Sequence, residues 1–114
     1  LDADQVYGDS FRRDDDAVRQ IGNNVTLVFQ NMEFDRAGTM RLTLEGATEL
    51  DTNAVSLRIV NGQGEAAVST CDFKKSPRGK QAFAVEVPQG LCTVNFVFLP
   101  GSCFDFYGFQ FEEA

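Results

Sequence analysis

Residues Leu91 to Phe111 read LCTVNFVFLPGSCFDFYGFQF, and the side on which their rings fall decides the fold. Val94, Phe96 and Phe98 share one parity and Thr93, Asn95 and Val97 the other, the period-2 alternation of a half-buried strand. Leu99-Pro100-Gly101-Ser102 ends that strand, because Pro has no N–H for a ladder and Gly tolerates positive φ; the chain turns and returns as Phe104 to Phe111. Six of the eleven Phe residues lie in this segment. Strict alternation would set Phe104 and Phe106 opposite to Phe109 and Phe111. A β-bulge at Gly108 shifts the register by one residue and puts all four rings on the core side. The competing arrangement leaves Phe104 and Phe106 exposed as a stacking platform.

Outward from this hairpin the same alternation recurs. Val25, Leu27 and Phe29 form an inward face, with Thr26 and Val28 between them. Met40, Leu42 and Leu44 alternate with Arg41, Thr43 and Glu45; Val55, Leu57 and Ile59 alternate with Ser56 and Arg58; Phe83, Val85 and Val87 form a further face. Shorter strands are expected around Gln5-Val6-Tyr7 and over Ala17 to Ile21, the latter ended by the turn residues Gly22-Asn23-Asn24. Gln30 to Gly38 reads as a polar connection anchored by Met32 and Phe34, and Gly46 to Asn53 as a loop. Asn61-Gly62-Gln63-Gly64 reads as a hairpin turn in which Asn-Gly supplies two positive φ angles. Lys74-Lys75-Ser76-Pro77-Arg78-Gly79-Lys80 is the one basic patch, on a turn-rich loop. No stretch has helical periodicity. About eight or nine short strands predict an all-β, antiparallel β-sandwich that takes residues 1–114 as one domain.

Composition narrows the chemistry. Seventeen Asp and Glu against ten Lys and Arg give a net charge of −7, the wrong sign for a phosphate-binding footprint, so no nucleic-acid partner is expected. No apolar run approaches the roughly 20 residues of a membrane helix, and no secretory h-region begins the chain, so no membrane partner is expected. Histidine is absent, which removes the usual general base and the commonest zinc ligand. Asp14-Asp15-Asp16 offers oxygen ligands but not at EF-hand spacing, and a solvated loop accounts for it. Cys71, Cys92 and Cys103 are odd in number and lack CxxC spacing, which argues against a disulfide framework; the first two fall in strands, and Cys103 follows the turn.

IGNNVTLVFQNMEFDRAGTMRLTLEGA resembles the middle of family-6-like carbohydrate-binding modules. VYGDSF, IGNNVTLVF, NMEF and FVFLPGSCFDF are similar to the non-catalytic module that follows the catalytic domains of some bacterial family-2 glycoside hydrolases, the β-galactosidase group. The resemblance covers nearly the whole chain. It implies a jelly-roll sandwich that binds sugar at one end and holds a structural calcium ion, for which Asp4, in Ala3-Asp4, and Asp105 occupy the matching positions. The family's two sugar-stacking rings and an Asn entering the last strand correspond to Gln20, the loop around Arg78, and Cys103. Neither ring is present, and Tyr7 and Tyr107 are the only tyrosines that can substitute.

The function implied is non-catalytic: a module that holds an attached glycosidase near galactoside-containing glycans, through Gln20, Asn23, Lys75, Arg78 and Ser102, with Tyr7 as the ring. Its partners would be a galactose-terminated glycan and the parent catalytic domain, in a secreted or cell-surface bacterial enzyme, with a cytoplasmic setting as the alternative. The isolated module is expected to be a monomer. A structural domain that packs on the catalytic partner without binding sugar is the alternative. An independent glycosidase would need two carboxylates roughly 5–9.5 Å apart across a cleft, and the acids here are scattered over turns.

Overall fold

Alternating apolar residues between short turns leave this chain little choice but strand. The computed structural model describes residues 5–8, 11–14, 17–22 and 24–113, with only the backbone of Gln5 and Tyr7. It contains β1 (Gln5–Tyr7), β2 (Arg12–Arg13), β3 (Val18–Ile21), β4 (Val25–Phe34), β5 (Gly38–Asn61), β6 (Ala66–Val87), β7 (Gly90–Phe98) and β8 (Phe104–Glu113), all paired antiparallel. No described residue is helical, and no helix is long and apolar enough to cross a membrane. The all-β sandwich expected from the sequence is the fold observed.

The two layers are one curled sheet. Met40 to Thr48 of β5 pair with β8, Val55 to Asn61 pair with β7, and β6 follows β5 along both halves. The strand order is β1-β4-β7-β5-β8-β3-β2, so β5 and β6 carry the chain from one layer into the other. They turn a corner where the register breaks between Gly46 and Thr48 and again between Thr48 and Thr52. The two stretches expected to be loops, Gly46 to Asn53 and Lys74 to Lys80, are therefore strand. Pro77 sits in the bulge opposite Ala47, and Gly46 and Gly79 pair with each other at its edge; none of them reverses the chain, because a bulge bends a strand without ending its ladder, and Pro is tolerated where no ladder N–H is needed. β4 departs from expectation in the same way. It runs past a bulge between Phe29 and Met32, where Asn31 takes φ +61°, and so delivers Phe34 to the core.

β8 carries a bulge as expected, but at Tyr107, one residue before Gly108, which stays in the ladder. Glu45 pairs with Gly108 and Gly46 with Phe106, which leaves Tyr107 as the extra residue. Phe104 and Phe106 are buried, and Phe109 and Phe111 pack half-buried against the same core. Phe96 gathers the rings of Phe29, Phe106 and Phe109 at centroid distances of 5.8, 5.1 and 5.0 Å, close to the edge-to-face and offset arrangements that ring quadrupoles favour.

The β5–β6 turn is built differently from the sequence reading. Among Asn61 to Gly64 only Gly64 has a positive φ, of 83°. Asn61 is instead buried, and its amide organises the loop: Oδ1 accepts from the N–H groups of Gln63 and Glu65 at 3.0 and 2.9 Å, and Nδ2 donates to Glu65 Oε1 and Gln89 O, each at 2.9 Å. Replacing Asn61 by Ala strands several of these groups at once. We expect Asn61→Ala to lower unfolding stability by about 2 kcal/mol, read as a shift of the urea midpoint at unchanged slope.

Candidate functional site

The corner that bends β5 and β6 also opens a cleft of about 450 Å³. Ala47, Thr48 and Glu49 come from β5, and Lys75, Ser76 and Pro77 from β6; Gln20 of β3 and Cys103 to Asp105 at the start of β8 complete it. Each wall has a local cause. β3 slips register against β8 between Val18 and Ile21, and within that slip Gln20 takes φ +55°. Its backbone N–H donates to Asp105 Oδ1 at 2.9 Å, which ties β3 to the cleft wall.

The segment entering β8 is held from beneath by two buried polar residues. Thr48 Oγ1 donates to Cys103 O at 2.6 Å and accepts from Leu50 N at 3.2 Å; Asn53 Oδ1 accepts from Cys103 N at 2.8 Å. Gly46 is required by Phe104. A Cβ there would run into Phe104 Cζ and stand 2.7 Å from Cε2 and 3.0 Å from Asp105 O. On β6 the amide of Gln81 pairs with both backbone groups of Lys74, N–H to Oε1 and Nε2–H to O, each at 2.9 Å. Lys74 Nζ donates to Thr52 Oγ1 at 3.2 Å. These bonds fix the strand beside Lys75 and cover part of the free edge of β6, which would otherwise invite another strand.

Next to the cleft stands Tyr107, the bulged residue. Arg78 Cζ lies 4.2 Å from its ring centroid while Arg78 Nε donates to Glu45 Oε2 at 3.1 Å. Arg19 Cζ lies 5.0 Å from the same ring; it donates through Nη1 to the Tyr107 hydroxyl at 2.8 Å and through Nε to Asp14 Oδ2 at 2.7 Å. The bond to Asp14 is the largest of the influences that raise the Arg19 pKa.

Of the residues singled out in the sequence, Gln20, Lys75 and Asp105 meet at the cleft. Arg78 is next to it and is engaged by Glu45 and Tyr107. Ser102 turns away to close its own turn, donating from Oγ to Leu99 O at 2.8 Å. Asp4, Asn23 and the side chain of Tyr7 lie outside the described residues. Among the described residues no group of three or more His, Cys, Asp or Glu could hold a metal ion, and one oxygen of Asp105 is already engaged by Gln20. The acids in the lining are Glu49, which is exposed, and Asp105, which is half-buried. Thr48 and Asn53 were missed because they fell in an expected loop. The signal was there: Thr48 continues the core parity of Leu42 and Leu44, and Asn53 precedes that of Val55, Leu57 and Ile59.

The fold has close structural counterparts. No protein-family model and no curated protein matches the sequence. Solved structures do. The C-terminal family-6 carbohydrate-binding module of LamC, a marine laminarinase of Zobellia galactanivorans, superposes with a TM-score of 0.73 at 12% identity, over 97% of this chain and 93% of that one. The module CBM6cm-2 of Cellvibrio mixtus lichenase 5A, solved with cellotriose, gives 0.74 at 12% identity, over 99% and 92%. The family-35 module of Clostridium thermocellum gives 0.67 at 20% identity, over 95% and 98%. The chain therefore has the fold of family-6 and family-35 carbohydrate-binding modules.

Two consequences can be measured. Gly46→Ala is expected to cost about 1–3 kcal/mol through forced repacking of Phe104, seen as a lower melting temperature. Cys103 is exposed, whereas burial pushes the Cys71 thiol up to about 11 and raises that of Cys92. Because the thiolate is the reacting form, a thiol reagent at pH 8 should label one cysteine in the folded protein and three after denaturation.

Proposed function

We propose that this chain is a non-catalytic carbohydrate-binding module whose sugar site is the cleft at the β5–β6 corner. The observation that carries this reading is convergence: the three positions that the sequence resemblance assigns to sugar contacts, Gln20, the stretch around Arg78, and Cys103, come from β3, β6 and the start of β8. All three border one cleft. The fold shared with family-6 and family-35 modules supports the same reading.

The chemistry of the lining sets the expected strength. Phe104 is the one ring in the lining, and it is buried; a sugar would meet aliphatic surface, with Ala47 and Pro77 in the lining, and the polar groups of Gln20, Lys75 and Ser76 instead of an aromatic face. Hydrogen bonds to a sugar net only about 0.5–1.5 kcal/mol each after water is displaced, so a few of them give dissociation constants on the order of millimolar. The ligand proposed is a galactoside-containing glycan. The parent protein is proposed to be a secreted or cell-surface bacterial glycosidase of the β-galactosidase group. Calcium belongs to the same proposal, with Asp105 and Asp4 as its candidate ligands; a melting temperature unmoved by chelator would remove it.

The missing rings favour one second reading, a module that packs on its catalytic domain and binds no sugar. Calorimetric titration with galactose, lactose and N-acetyllactosamine separates the two. Weak binding that Gln20→Ala or Lys75→Ala abolishes without loss of melting temperature supports the sugar site. A folded chain that binds no glycan on a broad array gives the structural reading the ground.

A further inference from the structure

The cleft presents no aromatic face, yet a ring stands just outside it. Phe104 and Phe106 point into the core, which turns Asp105 and Tyr107 of β8 outward. Tyr107 is thus the next outward side chain after Asp105 of the cleft lining, about 7 Å further along the strand, the length of one sugar ring. Across from it on β6 lies Arg78, whose chain neighbour Pro77 lines the cleft.

The two arginines that meet Tyr107 hold it differently. Arg19 donates to the phenol oxygen at 2.8 Å and is itself anchored on Asp14 at 2.7 Å, with only 29% of its side chain exposed. That fixes the ring. Arg78 lies on the ring face, with Cζ 4.2 Å from the centroid, and its side chain is 58% exposed, so the guanidinium is a layer between the ring and solvent. Its Nε is tied to Glu45 Oε2 at 3.1 Å. An exposed ion pair and an exposed cation–π contact each shift an equilibrium by about fivefold at most. The covered state is favoured but not locked, and a long surface side chain leaves it by rotamer change alone.

Resting on the carbohydrate reading above and extending it, we infer that Tyr107 is the stacking ring of the site and Arg78 its removable cover. A sugar seated in the cleft beside Gln20 and Asp105 places its next ring over Tyr107, where it takes the position of the guanidinium. Because Arg19 holds the phenol in place, the apolar C–H face of that sugar meets a pre-oriented ring. Binding to the resting protein is weakened by the fraction of molecules whose ring is covered. Removing Arg78, a hydrogen-bond donor at the edge of the cleft, therefore strengthens binding.

The test titrates the 114-residue chain and its Arg78→Ala variant with cellotriose, lactose and N-acetyllactosamine. Arg78→Ala should tighten binding about five- to tenfold, including the case in which only the variant binds measurably. That gain should vanish when Tyr107→Leu is added, because no ring is then left to uncover. Arg58→Ala removes a cation from the outer face of the other layer and should leave affinity unchanged. The ring also supplies its own signal. The chain has no Trp, so in a Tyr7→Phe background Tyr107 is the sole tyrosine, and its emission should change as sugar binds. Unchanged or weaker binding by Arg78→Ala, an equal gain from Arg58→Ala, a gain that survives Tyr107→Leu, or tyrosine emission unmoved at saturating sugar overturns the inference while the carbohydrate reading stands. No binding of these sugars or of any arrayed glycan by either chain removes both.

Discussion

The constraint on which this structure depends is that two strands must serve two sheets. A sandwich of separate sheets needs loops that cross between layers; here β5 and β6 cross as strands and keep their ladder through the bend. Bending a paired ribbon means spending residues unequally on its two strands. Glu49 to Asp51 oppose Lys75 on one side of Thr48, and Ala47 opposes Pro77 and Arg78 on the other. Those surplus residues cannot all point into the core or along the ladder, so they open outward as a cleft. The site is thus a by-product of the way the fold turns its corner.

The core makes the same demand on β8. Phe106 must reach Phe96 and Phe98, at 5.1 and 6.2 Å, while Phe109 must reach Phe29 and Phe96, at 4.6 and 5.0 Å. Two residues of the same strand separated by an odd number of positions face the same way only if one residue between them is taken out of register. Tyr107 is that residue, and leaving the ladder places its ring beside the cleft under two guanidinium groups. Packing inside the sandwich and the electrostatics of the outer face are therefore set by one bulge.

What the sequence made legible followed from parity. Runs such as Met40 to Glu45 and Val94 to Phe98 revealed their strands and inward faces, because one buried face forces a period of two. The conflict between Phe104 and Phe109 revealed the bulge as well. Corners were not legible in this way. Gly46, Pro77 and Gly79 carry the chemistry of a chain reversal, and nothing local says whether a partner strand will hold the ladder together through them; that depends on β5 and β6 being neighbours over their whole length. Asn61 misled for a related reason. Its side chain, not its φ angle, makes the turn: three of its four bonds stay within the loop, and the fourth, to Gln89 O, is a tertiary contact. The cleft's makers, Thr48 and Asn53, were hidden by the expected loop even though both sit at core parity.

A stacking site and a charged site place different requirements on a scaffold. Stacking needs a rigid ring presented face-on, which the sequence could supply only through Tyr7 or Tyr107, and Arg78 already lies over Tyr107. A charged site needs only cations whose neighbouring acids are otherwise engaged, because an ammonium with a free carboxylate beside it is already neutralised. The corner does not meet that requirement: Gln81 holds the backbone of Lys74, Thr52 holds its ammonium and Glu45 is taken by Arg78, but Glu49 lines the same cleft as Lys75 and has no partner among the described residues.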